Sequence, residues 1–300
     1  LEPNYPFRKG AGFVRRTWRR RCVPRFARLQ IAQACRRQGS PAPRSAYVVA
    51  YDELDAIFAR SVLRAAGIDR YVLHMMDLCH SRFSPQKQPA LAELIASASA
   101  VLAVSRRLAN EIAPVARRPI EILPLVAGFV RPAAAVHHAT RPYVMLRGAL
   151  YAAAPPKLRF LYQTVLPAWL ALAREQPGIA WHYSGADASS FSPALKAVIR
   201  NCGLLPQTAW CEMLAGARCA LLPVIHHDDD HFRYSVPSRL VDYLAAGVPV
   251  IAPSSPNTAT EDFLRSFSSR GVIIANTQAE VHAALRRLLF DDEFHRGQVA

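Results

Sequence analysis

The chain has 300 residues, of which 51% are apolar, and this length favours two domains with sizeable cores. No apolar run reaches the ~18 residues that a membrane-spanning helix needs, and no signal peptide follows Leu1, so we expect a soluble piece of a longer chain. Six scattered cysteines show no CxxC pair and no zinc-finger spacing, so a reducing, cytoplasmic location is their simplest explanation.

Residues 1–44 form a basic arm, in which twelve Lys or Arg against the single acid Glu2 account for +11 of the net charge of +15. Such a block suits an anionic partner, either a membrane surface or a nucleic acid, or it is a solvated arginine-rich helix. Pro24 interrupts a stripe with helical spacing. The stripe predicts a helix on an anionic membrane, a helix packed on the first domain, or both; its members are Val14, Trp18, Cys22, Phe26 and Leu29.

From residue 45 onward, short β-branched runs alternate with helical patterns, which predicts parallel sheets with crossover helices. The predicted strands of a first unit are 46–51, 70–77, 100–105 and 120–125. Residues 126–142 lose periodicity and carry two prolines, as a connector would. We therefore place an N-terminal domain at 1–140 and a C-terminal domain at 141–300.

The second unit repeats the alternation. Its predicted strands are 143–147, 179–184, 219–224, 248–252 and 272–275, and its predicted helices are 157–175, 193–201, 208–216, 238–246 and 278–290. Ligands of open parallel sheets bind outside the carboxyl ends of the strands. The sequence thus predicts two α/β domains with a cleft where these ends face each other.

A polar loop runs into an apolar helix at "YSVPSRLVDYLAAGVPVIAP", residues 234–253. A helix that begins at such a Ser/Pro turn offers free backbone N–H groups to a phosphate. Arg239 places a positive charge in the first turn, where the positive end of the helix dipole disfavours it. An anionic ligand therefore explains an arginine at this position better than local structure does. Asp242 lies on the same side and suits a ribose hydroxyl pair. The alternative is an N-capping serine with a surface ion pair.

"PSRLVDYLAAGVPVIA" resembles the donor-domain signature of the GT-B glycosyltransferases, especially the glycosyltransferase group 1 family. "SASAVLAVSRRLANEI" (97–112) and the domain that begins at "YVMLRGAL" (143–150) are also similar, so the resemblance spans residues 45–300. It implies two Rossmann-like parallel-sheet domains facing a cleft. We expect the first strand and glycine-rich turn of the N-terminal domain to be missing from this chain.

The resemblance also implies roles for individual residues. The donor diphosphate would contact the loop at Ser235, Pro237 and Ser238, with Arg239 beside it and Asp242 at the ribose. Further phosphate contacts would come from Arg147, Gly148 and Lys157.

In the first domain, "YVLHMMDLCHS" (71–81) is similar to the region in which xanthan-type glucuronosyltransferases carry a base just past a strand. Asp77 is the matching residue, with His74 and His80 as alternatives. A lone Asp after a strand can also be a turn or capping residue. Retaining members often have Glu where this chain has Tyr234, so the stereochemical outcome stays open.

The run "HHDDDH" (226–231) holds groups that bind transition metals, but neighbours in one loop cannot all reach one ion. GT-B enzymes need no catalytic metal, so the resemblance implies no metal, no cofactor and a donor-site loop here. The absence of G-x-G-x-x-G, P-loop and G-x-S-x-G motifs argues against dehydrogenases, NTPases and hydrolases.

The sequence therefore predicts transfer of a sugar from a nucleotide diphosphate donor to an acceptor hydroxyl. The expected acceptor is a lipid-linked or polysaccharide intermediate of bacterial cell-surface glycan synthesis, and the enzyme would lie peripherally on the inner face of the cytoplasmic membrane. One alternative is a nucleotide-sugar 2-epimerase. A basic nucleic-acid-binding protein is the other, although aromatic-rich RNA-binding motifs are missing and we expect no nucleic-acid partner.

Overall fold

The computed structural model describes residues 45–78, 83–127, 141–148, 158–186, 191–222, 233–267 and 270–299. The chain divides into two compact units, unit 1 over Leu1–Pro124 and unit 2 over Leu125–Ala300. The boundary predicted near residue 140 falls in 128–140, outside the described residues, and stays a prediction. The basic arm, its apolar stripe and the expected loss of the first strand also concern residues outside the described part.

Unit 1 contains a four-stranded parallel sheet in the order β1-β2-β3-β4. Its helices connect successive strands, and a short 3-10 turn follows the third helix. The elements are β1 Ser45–Ala50, α1 Glu53–Ala66, β2 Arg70–Met75, α2 Pro89–Ser97, β3 Ala100–Ala103, α3 Arg106–Ile112 and β4 Ile120–Ile122.

The helices of unit 1 begin at polar side chains that bind their free N–H groups. Asp52 caps α1 by accepting from a backbone N–H of the first turn. In α2 the side chain of the N-cap residue Gln88 makes no capping hydrogen bond. A carboxylate from α1 accepts hydrogen bonds from the first turn of α2 instead. Glu53 accepts from Ala90 N at 3.0 Å and from Leu91 N at 2.8 Å. These bonds fix α2 beside α1, because a carboxylate at a helix N-terminus is favoured by the dipole.

Unit 2 contains a six-stranded parallel sheet in the order β10-β9-β8-β5-β6-β7. A π-helical turn over Leu161–Val165 leads directly into its first α-helix. The elements are β5 Tyr143–Arg147, α4 Leu166–Glu175, β6 Ala180–Ser184, α5 Pro193–Val198, β7 Ile199–Asn201, α6 Gln207–Ala215, β8 Cys219–Leu221, α7 Ser238–Ala245, β9 Val250–Ala252, α8 Ala259–Ser266, β10 Val272–Ile274, α9 Gln278–Phe290 and α10 Asp292–Gln298.

Helices cover both faces of the unit 2 sheet. Val144 and Leu146 of β5 belong to a core that includes residues of α4 and α9. Tyr143 and Met145, which alternate with them, belong to a second core that includes residues of α6, α7 and α8. Successive side chains of a strand point to opposite faces, so this sheet is buried on both sides, as parallel sheets usually are.

The predicted α/β class and parallel sheets are confirmed. Strand β5 has the predicted bounds, and α9 does as well. The helix predicted over 193–201 is wrong at its end, because residues 199–201 form the short strand β7 and pair with Trp181–Tyr183. This pairing to a distant strand overrides the local helical pattern. Among the described residues, no helix is long and apolar enough to cross a bilayer.

Candidate functional site

The order of strands in unit 2 reverses between β5 and β8. From β5 the chain first adds β6 and β7 on one side, and then returns to add β8, β9 and β10 on the other. In open parallel sheets a crevice forms outside the carboxyl ends of the strands at such a switch point, and ligands bind there. Arg147 is the last residue of β5 and Gly148 follows it, so both lie at this crevice.

Arg147 is held by residues of α6 and α7. Its Cζ lies 4.2 Å from the centroid of the Trp210 ring, a cation–π contact. Its Nη1 lies 3.5 Å from Oδ2 of Asp242, and its backbone N–H donates to the Tyr243 hydroxyl at 2.9 Å. Three side chains from two helices therefore fix the end of β5.

Gly148 brings its backbone against the guanidinium of Arg239. The Nη1 of Arg239 donates to the Arg147 carbonyl at 2.6 Å. A Cβ on Gly148 would lie 2.9 Å from that Nη1, and the glycine has a φ of +101°, which other residues rarely adopt. The Tyr183 hydroxyl donates to the Gly148 carbonyl at 2.9 Å. The backbone conformation therefore favours glycine at this position, and a side chain here would also displace the Arg239 guanidinium.

Helix α7 begins at the predicted loop, but with a different cap. Its N-cap residue is Pro237, which makes no side-chain hydrogen bond, and its first turn contains no acidic residue. The alternative reading with an N-capping serine is therefore wrong, since Ser238 is already inside the helix. Thr260 Oγ1 donates to the Ser235 carbonyl at 3.0 Å and holds the preceding loop. Positive partial charge is thus concentrated at the start of α7, where the first turn has no acidic residue to balance it.

The charges at the switch point sum to +1 over Arg147, Arg239 and Asp242. Burial raises the pKa of Tyr243 to about 12, so its hydroxyl stays neutral beside these groups. The ion pair of Asp242 is made with Arg147 of β5. Arg239 contacts the strand as well, so the helix and the strand end are joined by both arginines.

Two residues predicted for catalysis lie at the carboxyl end of β2 in unit 1. Asp77 is 6% exposed, and its Oδ1 accepts from Leu78 N at 2.8 Å. His74 is also buried, and its Nδ1 lies 2.6 Å from the Tyr47 hydroxyl. Burial lowers the pKa of His74 below 6.5, opposed in part by a backbone hydrogen bond with Leu123. His74 is therefore neutral at pH 7.

The structure brings four of the predicted donor residues together in unit 2, namely Arg147, Gly148, Arg239 and Asp242. Ser235 and Pro237 lie in the segment that leads into α7, and Ser238 is the first residue of that helix. Lys157, His80 and the "HHDDDH" run fall outside the described residues, so their predicted roles and the expected absence of a metal stay predictions. The ligand contacts of all these residues also stay predictions.

Sequence reasoning missed the residues that hold the site in place. Tyr243 lies inside the quoted motif, and its hydroxyl contacts the strand that the motif faces. Trp210 and Tyr183 come from α6 and β6, and no local pattern marks them. A fully buried Trp and Tyr are expected to have core roles, so only the tertiary contacts identify them as supports of the site.

A cavity of about 430 Å³ lies elsewhere in unit 2, at the amino edge of the sheet. Its lining residues precede β5 and β8 or belong to the last two helices. This edge is opposite to the switch point, whereas ligands of open parallel sheets bind at the carboxyl edge. The lining residues are Arg141, Pro142, Gly216, Arg218, Leu289, Asp292, His295 and Arg296.

No family model and no curated protein matches the chain. Solved structures share its fold. The α,α-trehalose 6-phosphate synthase of Burkholderia multivorans is 10% identical, with a TM-score of 0.58 over 92% of this chain and 71% of that one. A putative UDP-N-acetylglucosamine 2-epimerase of Listeria monocytogenes is 9% identical, with a TM-score of 0.55 over 93% and 74%.

A co-structure of Staphylococcus aureus MnaA with UDP is also similar, at 8% identity and a TM-score of 0.54 over 92% of this chain and 73% of that one. TarM, at 10% identity and a TM-score of 0.54, matches 77% of this chain. These likenesses show the fold. The predicted two-domain GT-B fold is confirmed.

Proposed function

We propose that the chain is a glycosyltransferase that binds a nucleotide diphosphate sugar at the β5–β8 switch point of unit 2 and transfers the sugar to an acceptor hydroxyl. One observation carries the proposal: two arginines, a close-packed glycine and an uncapped helix start converge where this fold binds ligands. The solved structures with this fold include one with UDP and others named for sugar-nucleotide or sugar-phosphate chemistry.

The donor diphosphate would sit at the start of α7. The N–H groups of Ser238 and Arg239 would donate to its oxygens, whereas Leu240 N already donates to the Pro237 carbonyl at 2.9 Å. The positive end of the helix dipole favours the charge of the diphosphate. The guanidinium of Arg239 binds the same anion, while its bond to the Arg147 carbonyl keeps it in place. As the bond to the sugar breaks, these groups stabilise the charge that develops on the departing diphosphate.

Asp242 would bind the ribose of the donor. Its carboxylate is fixed by the Arg147 guanidinium, and Arg147 is itself held over the Trp210 ring. A carboxylate that is already oriented loses less conformational entropy when it accepts the two ribose hydroxyls. Lys157 is proposed to add a further phosphate contact.

Asp77 of unit 1 would act on the acceptor. If the enzyme inverts the anomeric centre, the carboxylate takes the proton of the attacking hydroxyl. If it retains the configuration, Asp77 or His74 orients the sugar instead. The acceptor class that we propose is a lipid-linked or polysaccharide glycan at the cytoplasmic face of a membrane.

The first experiment is calorimetric binding of UDP, GDP, ADP and their sugars to the full chain. We expect one nucleotide class to bind selectively. Arg239→Ala should weaken this binding by about 1.5–3 kcal/mol, or roughly 10- to 150-fold, because a charged hydrogen bond is lost. Arg286→Ala is the matched control, since Arg286 is an exposed arginine on α9. Unchanged affinity in a folded Arg239→Ala protein would remove this residue from the site.

A second candidate function is epimerisation of the nucleotide sugar, which the likeness to proteins named as 2-epimerases favours. The two functions differ in their products. Free nucleotide that appears only when an acceptor is added supports transfer, whereas an isomerised nucleotide sugar without acceptor supports epimerisation. Nucleotide binding alone is expected for both.

A further inference from the structure

The cavity of about 430 Å³ in unit 2 lies at the amino ends of two neighbouring strands, and we call it the amino-edge cavity. Arg141 and Pro142 precede β5, Gly216 and Arg218 precede β8, and the other lining residues belong to α9 and α10. The switch point lies at the other end of β5, four residue steps or about 13 Å away. A ligand of this cavity is therefore separate from a ligand of the candidate donor site.

The charged side chains that line the amino-edge cavity are mostly basic. Three arginines, Arg141, Arg218 and Arg296, line it together with a single acid, Asp292. The pKa of Asp292 is lowered, chiefly by the hydrogen bond from Arg218 and the charge of that arginine, and further by Arg296 and His295. The carboxylate is therefore ionised at pH 7. Without counting His295, the lining carries a net charge of +2.

Arg218 is held at the cavity by the last two helices. Its side chain is only 16% exposed, its Nε donates to the Leu288 carbonyl at 3.1 Å, and its Nη2 donates to Asp292 Oδ1 at 2.7 Å. The Nε2 of His295 lies 3.0 Å from the Arg218 carbonyl. No residue in the described part of the chain accepts from its Nη1. An oriented guanidinium with unused donors binds an oxyanion with little further loss of entropy.

The other two arginines of the cavity are exposed, and within the ranges that the structure describes neither forms a salt bridge. Arg296 lies in the last turn of α10, where the helix dipole favours a cation, so its position also has a local explanation. Arg141 lies outside any helix, directly before Pro142 and β5, and the dipole does not explain it. Planar guanidinium groups form paired hydrogen bonds to phosphate oxygens, so these two arginines complete an anion site with Arg218.

The volume and the charge of the cavity together indicate the class of ligand. Small-molecule sites usually measure about 300–1,000 Å³, and the cavity falls in this range. A phosphate monoester carries about −1.5 to −2 charges at pH 7, which balances the lining, and Pro142 and Leu289 offer apolar contacts to the rest of the molecule. We propose that the amino-edge cavity binds a small phosphate monoester, such as a phosphorylated sugar, through Arg141, Arg218 and Arg296. This proposal does not rest on the proposed glycosyltransferase function.

Calorimetric titration of the full chain with glucose 6-phosphate, glycerol 3-phosphate and glucose tests the proposal. We expect at least one of the two esters to bind at millimolar concentration or below, and glucose, which has no phosphate, not to bind. Arg141→Gln and Arg296→Gln should each weaken the binding of that ester about tenfold or more, because a charged hydrogen bond is lost. Both side chains are exposed, so the midpoint of urea unfolding should not change.

The matched control is Arg64→Gln. Arg64 is an exposed arginine in the last turn of α1, as Arg296 is in the last turn of α10, but it does not line the cavity. This variant should keep the ester affinity of the wild type. Arg239→Ala locates the ester, because unchanged ester affinity in that variant excludes the candidate donor site. Arg141→Gln should in turn keep the nucleotide affinity, so failure of this proposal and failure of the proposed function are distinguishable.

Three results would overturn the proposal. Neither ester could bind to the wild type at millimolar concentration. An ester could bind but lose affinity in Arg239→Ala and not in Arg141→Gln, which would assign it to the donor site. Vesicles that contain phosphatidic acid could bind in a manner that depends on Arg141 and Arg296 while neither soluble ester binds, which would assign these arginines to a membrane surface.

Discussion

The two sheets are both parallel, but they place the candidate site residues differently. In unit 2 the strand order reverses between β5 and β8, and the end of β5 meets α7, which lies more than ninety residues later in the chain. In unit 1 the described strands follow one another without a reversal. A parallel sheet creates a crevice where its strand order reverses, so the predicted donor residues cluster in unit 2, while Asp77 and His74 lie at the end of a strand without a reversal beside it.

The sheets also differ in how their faces are covered. Unit 2 has an apolar core on each side, formed by helices that cross on both faces. The helices described in unit 1 cross on one face, and the other exposes Tyr47 and Val49. A reversal in strand order sends right-handed crossovers to both faces, so one topological feature explains both the ligand crevice and the two-sided burial.

The largest expected effect is a loss of kcat in a unit 1 variant, in contrast to a loss of donor affinity in a unit 2 variant. We expect Asp77→Asn to reduce kcat about 10²- to 10⁴-fold without changing donor affinity, because a general base is lost. Asparagine keeps an oxygen that can accept from Leu78 N, so the turn is retained. Arg239→Ala should instead weaken the donor affinity. Steady-state kinetics and calorimetry would measure both.

Asp69→Asn serves as the control for the first variant, since Asp69 is exposed in the loop before β2. An Asp77→Asn enzyme with normal kcat would reject the role of Asp77 as a base. A variant with reduced donor affinity would place Asp77 in donor binding.

A smaller effect is expected from alanine substitutions at two glycines, which should separate backbone strain from disturbance of the candidate donor site. Gly148 and Gly178 have nearly the same φ, +101° and +103°, but only Gly148 is close to another group, Arg239. We expect alanine at either position to lower the free energy of unfolding by about 1–3 kcal/mol, because a side chain is strained there.

Only Gly148→Ala should also weaken nucleotide binding, since its Cβ displaces the Arg239 guanidinium. Chemical unfolding and calorimetry on both variants would test this. Equal nucleotide affinity in the two variants would show that the glycine serves the turn alone.

The smallest effect concerns pH and involves one histidine in each unit. Burial lowers the pKa of His74 and of His182 below 6.5, and Arg200 lowers that of His182 further. Below pH 6.5 the unfolded chain binds protons that the folded chain does not, so the free energy of unfolding falls as pH falls toward the lowered pKa values. Each histidine can contribute at most about 1.4 kcal/mol per pH unit.

Urea unfolding between neutral pH and about pH 5 would measure this dependence. We expect His74→Gln and His182→Gln each to flatten it. A variant whose pH dependence equals that of the wild type would show that its histidine titrates alike in the folded and unfolded states.

Much of the fold could be predicted from local patterns. Strand β5 and helix α9 have the predicted bounds, because an uninterrupted apolar run and a capped helical period are local signals. Strand β7 was missed, since its three residues are specified by pairing with β6 and not by their own pattern. The candidate site was predicted in part, through the motif that begins α7.

The amino-acid sequence by itself determined the alternation of strands and helices, the start of α7 and the identity of the arginines and the aspartate, because these depend on short-range periodicity and residue chemistry. Only the tertiary structure decided that Arg239 reaches the Arg147 carbonyl, that Trp210 and Tyr243 hold Arg147, and that Gly148 lies against the Arg239 guanidinium. The physical reason is that strand order sets which distant elements meet, and the contacts that fix the site form between them.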